Sequence, residues 1–229
     1  MLAIYTTKHP DTQIFSGYFW PLVGTIQEQF ADGSIVSDIS ALLVLDRSRM
    51  LQKKYKYDLE TLLEPNRFKK RELFFQKLNA KDLGPAKGKT IMMGVTSRID
   101  EMLHYIQAHD PKKFNIFIKN LDLIIRGGVS AKPYIKYFNE QKINHIGVYN
   151  ASEGYFGYQD IINYKNDEAQ APYQLTINHG IFYEFIPFNT DNFENGEIKQ
   201  EAKAKPLRQI TQEEIDQKTK FALVITTNA

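Results

Sequence analysis

Between residues 89 and 149, three apolar, strand-like runs alternate with two helix-like stretches, and this alternation constrains the fold more than any other feature of the chain. Lys89–Val95 reads as a strand. Ser97–Ala108 follows with Ile99, Met102, Leu103 and Ile106 at helical spacing, and Ser97 stands where an N-cap is expected. Leu121–Arg126 is a second strand, broken by Gly127-Gly128. Lys132–Lys142 carries Ile135 and Phe138 on one face and is entered through Pro133, which reads as a short helix. His145–Tyr149 is the third strand. Parallel neighbours need a crossover, and a helix is the usual one, so this order predicts βαβ units and a buried, largely parallel sheet. The expected fold class is α/β: a largely parallel sheet with flanking helices plus short β segments.

The flanks differ in character. Thr12–Val36 is rich in aromatics, Gly and Thr, which predicts short strands and turns. Arg47–Arg71 holds nine Lys or Arg against three acids, with Tyr55, Tyr57 and Phe68 interleaved. Whole-chain charge is only +2, so this stretch reads as a solvated surface rather than a nucleic-acid footprint. Asp191–Lys205 is polar and reads as an exposed loop, and Thr211-Gln212-Glu213-Glu214 reads as a capping box opening a short helix. Phe221–Thr227 is a strong β-former two residues from the C-terminus. Leu2, Ile4 and Tyr5 read as the tail of a helix already under way, and with that late strand they suggest a piece cut from a longer chain.

The longest aliphatic run, Ala41–Leu45, is far short of the ~20 residues a membrane helix needs. With no cysteine, disulfides, thiolate nucleophiles and Cys-ligated metals are excluded, which fits a cytoplasmic location. His104 and His109 stand five apart, out of register for a shared ligand face on a helix, and no zinc site is assigned.

The chemistry concentrates in Tyr149-Asn150-Ala151-Ser152-Glu153-Gly154. Ile146–Tyr149 reads as one strand and Tyr155–Tyr158 as the next, with a hydroxyl, a carboxylate and a glycine between them. A carboxylate in a strand-end turn suits a cation or a sugar hydroxyl better than a core. The plainer alternative is a hairpin turn whose Ser and Glu face water.

This segment, continued by Tyr155-Phe156-Gly157-Tyr158-Gln159-Asp160, resembles a motif of the auxin-responsive acyl-acid amido synthetases and their bacterial relatives, a branch of the firefly-luciferase-like adenylate-forming enzymes. Gly127-Gly128-Val129 with Pro133-Tyr134 is similar to the family's Gly-Gly strand end. Gly180–Pro187 is similar to its Tyr-Phe-Glu-Phe-Ile-Pro strand, and Ala222–Ala229 to the strand before its hinge. The order and spacing agree from Met1 to Ala229. The resemblance implies that residues 1–229 are an incomplete large N-terminal adenylation domain, with the phosphate loop upstream and the hinge and C-terminal domain downstream. It also implies a two-step ligase. A carboxylic acid attacks the α-phosphate of ATP to give an acyl-adenylate, and an amino acid amine then displaces AMP. The implied partners are small molecules (the acid and the amino acid), with no nucleic acid and no membrane. The isolated chain is expected to be inactive, and a non-catalytic nucleotide- or acyl-binding remnant is the competing reading.

On that resemblance Glu153 would hold Mg²⁺ on the triphosphate, since Mg²⁺ takes one or two carboxylates from a protein. Ser152 would donate to the α-phosphate or the incoming carboxylate, and is otherwise a turn serine. Tyr149 would lie against adenine, with Asn150 and Ala151 beside it, and is otherwise a core tyrosine. Gly127, Gly128 and Val129 would let the backbone approach the adenine, and otherwise form a turn. His179, Tyr183 and Phe185 would line the acyl pocket, although core packing also explains the two aromatics. Alternation along Ile181–Ile186 would send Tyr183 and Phe185 to one face, and Phe182 and Glu184 to the other.

Overall fold

The computed structural model describes residues 17–38, 40–42, 59–78, 90–151, 153–159, 172–177 and 180–227. The chain divides into two compact units, Met1–Gln174 and Leu175–Ala229. Met1–Tyr5, Tyr55 and Tyr57 lie outside the described residues.

The first unit is built on a mostly parallel sheet flanked by helices. In chain order it holds β1 (Phe19–Leu22), β2 (Ile26–Gln29), β3 (Ile35–Ser37), α1 (Leu59–Leu63), α2 (Arg67–Lys77), β4 (Thr90–Val95), α3 (Thr96–His109), α4 (Pro111–Asn120), β5 (Leu121–Gly127), α5 (Lys132–Glu140), β6 (His145–Ala151) and β7 (Gly154–Tyr158). The six-stranded sheet runs β1-β4-β5-β6-β7-β8, with β8 (Gln174–Leu175) at the end of the unit. β1, β4, β5 and β6 are parallel, with Phe19 opposite Ile91, Met92 opposite Ile124 and Ile125 opposite Ile146. β7 turns back antiparallel on β6, pairing Val148 with Tyr158 and Ala151 with Gly154.

The expected βαβ order is therefore present, with two differences. The first concerns Ser97. α3 starts one residue earlier, its N-cap is Val95, and no side chain caps it. Thr96 occupies the first turn instead, and its hydroxyl donates across to Gly127 O at 3.2 Å. The second is α4, which the alternation did not predict. Asp110 caps it, accepting from Lys113 N at 2.8 Å, and Pro111 supplies the preset first-turn φ. Its Phe114 and Phe117 are buried.

Apolar periodicity explains the layers. Ile99, Met102, Leu103 and Ile106 of α3 pack with Phe74 of α2, Phe117 of α4, Phe138 of α5 and the strand residues Trp20, Met92 and Ile124. The other parity of the strands forms a smaller cluster of Phe19, Ile91, Leu123, Ile125 and Ile146. Both faces of the central strands are thus apolar, as a buried parallel sheet requires. In α2, Asn66 caps the helix, while Phe68 is exposed beneath the Arg67 guanidinium, 4.7 Å from its ring centroid.

The second unit is a small antiparallel sheet of order β12-β9-β13. β9 (Ile181–Pro187) is central, between β12 (Lys205–Pro206) and β13 (Phe221–Thr227). It pairs with β13 over seven residues, from Ile181 opposite Thr227 to Pro187 opposite Phe221. Thr211 and Glu214 form the expected capping box on α6 (Gln212–Asp216). Asp191–Lys205 is not simply an exposed loop. Phe193–Glu194 (β10) and Glu197–Ile198 (β11) form a short hairpin, and Lys205 starts β12 and donates to Glu214. Asn195 and Gly196 both take positive φ (50° and 85°), the turn that a two-residue hairpin requires. Burial along β9 does not alternate cleanly. Tyr183 is buried and Phe182 exposed, but Ile186, on the same parity as Phe182, is also buried.

Candidate functional site at the carboxyl edge of the sheet

In open α/β sheets ligands bind outside the carboxyl ends of the strands. Burial here fades along the strands toward that edge. β4 runs from buried Thr90 to exposed Val95, and β6 from buried His145 to exposed Tyr149, Asn150 and Ala151. Gly128 and Val129, just past β5, are exposed as well.

The edge sets the Gly-Gly turn after β5 beside the end of β6. A Cβ on Gly127 would lie 2.7 Å from Val148 O and 3.4 Å from Asn150 Oδ1, which places the Asn150 side chain beside the Gly-Gly turn. That contact also explains why residue 127 is glycine, because a neighbouring strand's backbone fills the space. Gly128 needs its freedom for another reason: its φ is +80°, and a Cβ there would press on Val95. Tyr149 is not a core tyrosine. It is 44% exposed, with its ring edge-on to buried Phe156 at 5.3 Å between centroids. The Ala151–Gly154 pair closes the hairpin and leaves Glu153 exposed in the turn. Ser152 and His179 lie outside the described residues. Tyr183 and Phe185 belong to the second unit. The Tyr183 hydroxyl donates to Thr176 O at 3.3 Å, and the Phe185 ring meets Phe221 at 6.2 Å.

Sequence reasoning missed a polar network beneath this edge. Arg126 is 2% exposed at the end of β5. Its Nε donates to His145 Nδ1 and its Nη2 to Gln159 Oε1, both at 3.3 Å. The same Gln159 oxygen accepts from Gly147 N at 2.9 Å, and Gln159 N donates to Gly147 O. Burial, and then the neighbouring Arg126 charge, push the His145 imidazole down to about 3, so it is neutral at physiological pH. A neutral ring accepting at Nδ1 carries its proton on Nε2. One signal was available: an arginine closing the apolar run Leu123–Ile125 has to be paired once buried.

At the β1 end of the edge, Lys70 Nζ donates to Gly24 O and Thr25 Oγ1, each at 2.8 Å, and Asp38 accepts from Thr25 N. Burial lowers the Lys70 pKa, against the opposing pull of Asp38 and Glu64.

Among the described residues no group of three or more His, Cys, Asp or Glu could hold a metal ion, and no helix is long and apolar enough to cross a membrane. An exposed carboxylate such as Glu153 still fits Mg²⁺, which draws most of its ligands from water and phosphate oxygens. Compared with known proteins, the chain matches no protein-family model and no curated protein sequence.

Proposed function

We propose that the carboxyl edge of this sheet is the adenylate site of an ATP-dependent acyl-acid amido synthetase, and that the chain carries part of that enzyme's large domain. The reading rests on one observation: Gly127 and Asn150, from two separate motifs, meet at the carboxyl ends of adjacent parallel strands. A nucleotide at such an edge meets backbone groups and the exposed Tyr149 ring. Tyr149 offers a flat face to a purine, the Gly-Gly turn keeps side chains out of the way, and Asn150 supplies a donor and an acceptor beside it.

In this reading Glu153 is the protein's carboxylate for Mg²⁺, whose role when bound is to neutralise phosphate charge. The chain's own contribution is positioning, which such transfers depend on heavily. The substrates are a small carboxylic acid, ATP and an amino acid.

Calorimetric titration with a hydrolysis-resistant acyl-sulfamoyl adenosine tests the proposal. Saturable one-to-one binding is expected, with Tyr149→Ala weakening it at least tenfold. A chain that keeps its circular dichroism spectrum and shows no binding at millimolar ligand refutes it.

A further inference from the structure

Tyr173 belongs to none of the motifs above, yet it stands against the candidate site. It is 41% exposed, and its ring lies 6.5 Å from that of Tyr149 at an interplanar angle of 74°. Two partly exposed rings set nearly at right angles form a corner. A flat ring stacked on one of them presents its edge to the face of the other, which is the favoured geometry for both contacts.

The polar end of Tyr173 lies close to Gly147. A Cβ on Gly147 would lie 2.5 Å from the Tyr173 hydroxyl oxygen and 2.5 Å from Gln159 Oε1. The hydroxyl therefore sits over Gly147, beside the amide that Arg126 and Gly147 N already hold. No residue larger than glycine fits at 147 without moving both groups.

We propose that Tyr173 is a ligand-contacting, specificity-determining residue that forms with Tyr149 a two-walled site for a planar ring. Which part of the ligand carries that ring, the purine or an aromatic acid, rests on the adenylate reading.

The test is calorimetry on the whole chain with three probes: AMP, benzoate and the acyl-sulfamoyl adenosine. Wild type is compared with Tyr173→Ala, with Tyr173→Leu, which keeps apolar bulk without a flat face, and with Gly147→Ala. Both Tyr173 variants are expected to keep the wild-type circular dichroism spectrum. They should weaken the ring-bearing probe about 10- to 100-fold, the range that loss of one aromatic stacking partner gives. Gly147→Ala should do the same by displacing Tyr173. The probe that loses affinity identifies the ring. Unchanged affinity in both Tyr173 variants, while Tyr149→Ala weakens binding, overturns the proposal and leaves the adenylate reading intact. Binding of AMP or benzoate but not of the adenylate mimic, lost in the Tyr173 variants, upholds the proposal and removes the reading. A folded wild type that binds none of the probes overturns both.

Discussion

The two ends of the parallel strands obey different rules. Along their amino-terminal parts β4, β5 and β6 carry Ile91, Met92, Leu123, Ile124 and Ile146, nearly all solvent-free, packed between the helix-bearing layer and the opposite parity cluster. At their carboxyl ends the same strands run into Val95, Gly127-Gly128 and Tyr149-Asn150, exposed or half-exposed, where shape is set by glycine conformation and single hydrogen bonds. Substitutions at the first end should cost stability, and side-chain changes at the second, its glycines apart, should cost ligand binding.

The sharpest way to break this contrast is at the deep end. Phe117 of α4 is fully buried in the helix layer, and Phe117→Ala should lower unfolding free energy by about 3–5 kcal/mol in urea titration. A change below about 1 kcal/mol would mean that the layer is not the load that holds the sheet.

Acid probes the boundary between the two ends. His145 has a folded pKa of about 3 against an ordinary 6.5. Between those values the unfolded chain binds a proton that the folded chain refuses, so stability falls as pH drops from about 6.5 toward about 3. The slope contributed by this group is at most about 1.4 kcal/mol per pH unit. His145→Gln should flatten that part of the profile in urea titrations from pH 7 to pH 4. An equal slope in the variant would place the acid sensitivity elsewhere.

Gly127→Ala comes next. Its new methyl group would meet Val148 O at 2.7 Å, a backbone atom that cannot rotate away, and a loss of about 1–3 kcal/mol is expected by thermal or urea unfolding. A neutral result would show that β6 can shift from β5 without strain.

The smallest effect on stability belongs to Glu153→Gln, within about 0.5 kcal/mol for an exposed turn. In an enzyme carrying this segment the same change should slow adenylation about 10²–10³-fold and alter its Mg²⁺ dependence. Unchanged rates at low Mg²⁺ would remove Glu153 from the metal role.

The same contrast explains what the sequence revealed. Apolar periodicity marked α3 and α5 and the three parallel strands because burial selects side chains at a fixed repeat. It passed over α4, although Phe114, Phe117 and Ile118 stand at helical spacing behind the Asp110-Pro111 start. It misread Asp191–Lys205, since a hairpin as short as β10–β11 leaves only the Asn195-Gly196 turn as its mark. Tyr149, Glu153 and the Gly-Gly turn were legible as local motifs. The meeting of Gln159 and Tyr173 with Gly147 across the sheet was not, because such a contact leaves no periodic trace.

The chain has a single tryptophan, and Trp20 is wholly enclosed on β1, with its indole edge-on to Phe74 at 4.9 Å between centroids. The molecule thus carries one indole fluorophore, fixed in its driest layer and spectrally separable from its tyrosines. Its emission should be blue-shifted in the native state and move to the red as α2 and α3 lift from the sheet. Ligand binding at the tyrosine-lined edge should leave it nearly unchanged and alter tyrosine absorbance instead. One optical sample can therefore report the integrity of the fold and the occupancy of the edge on two independent channels.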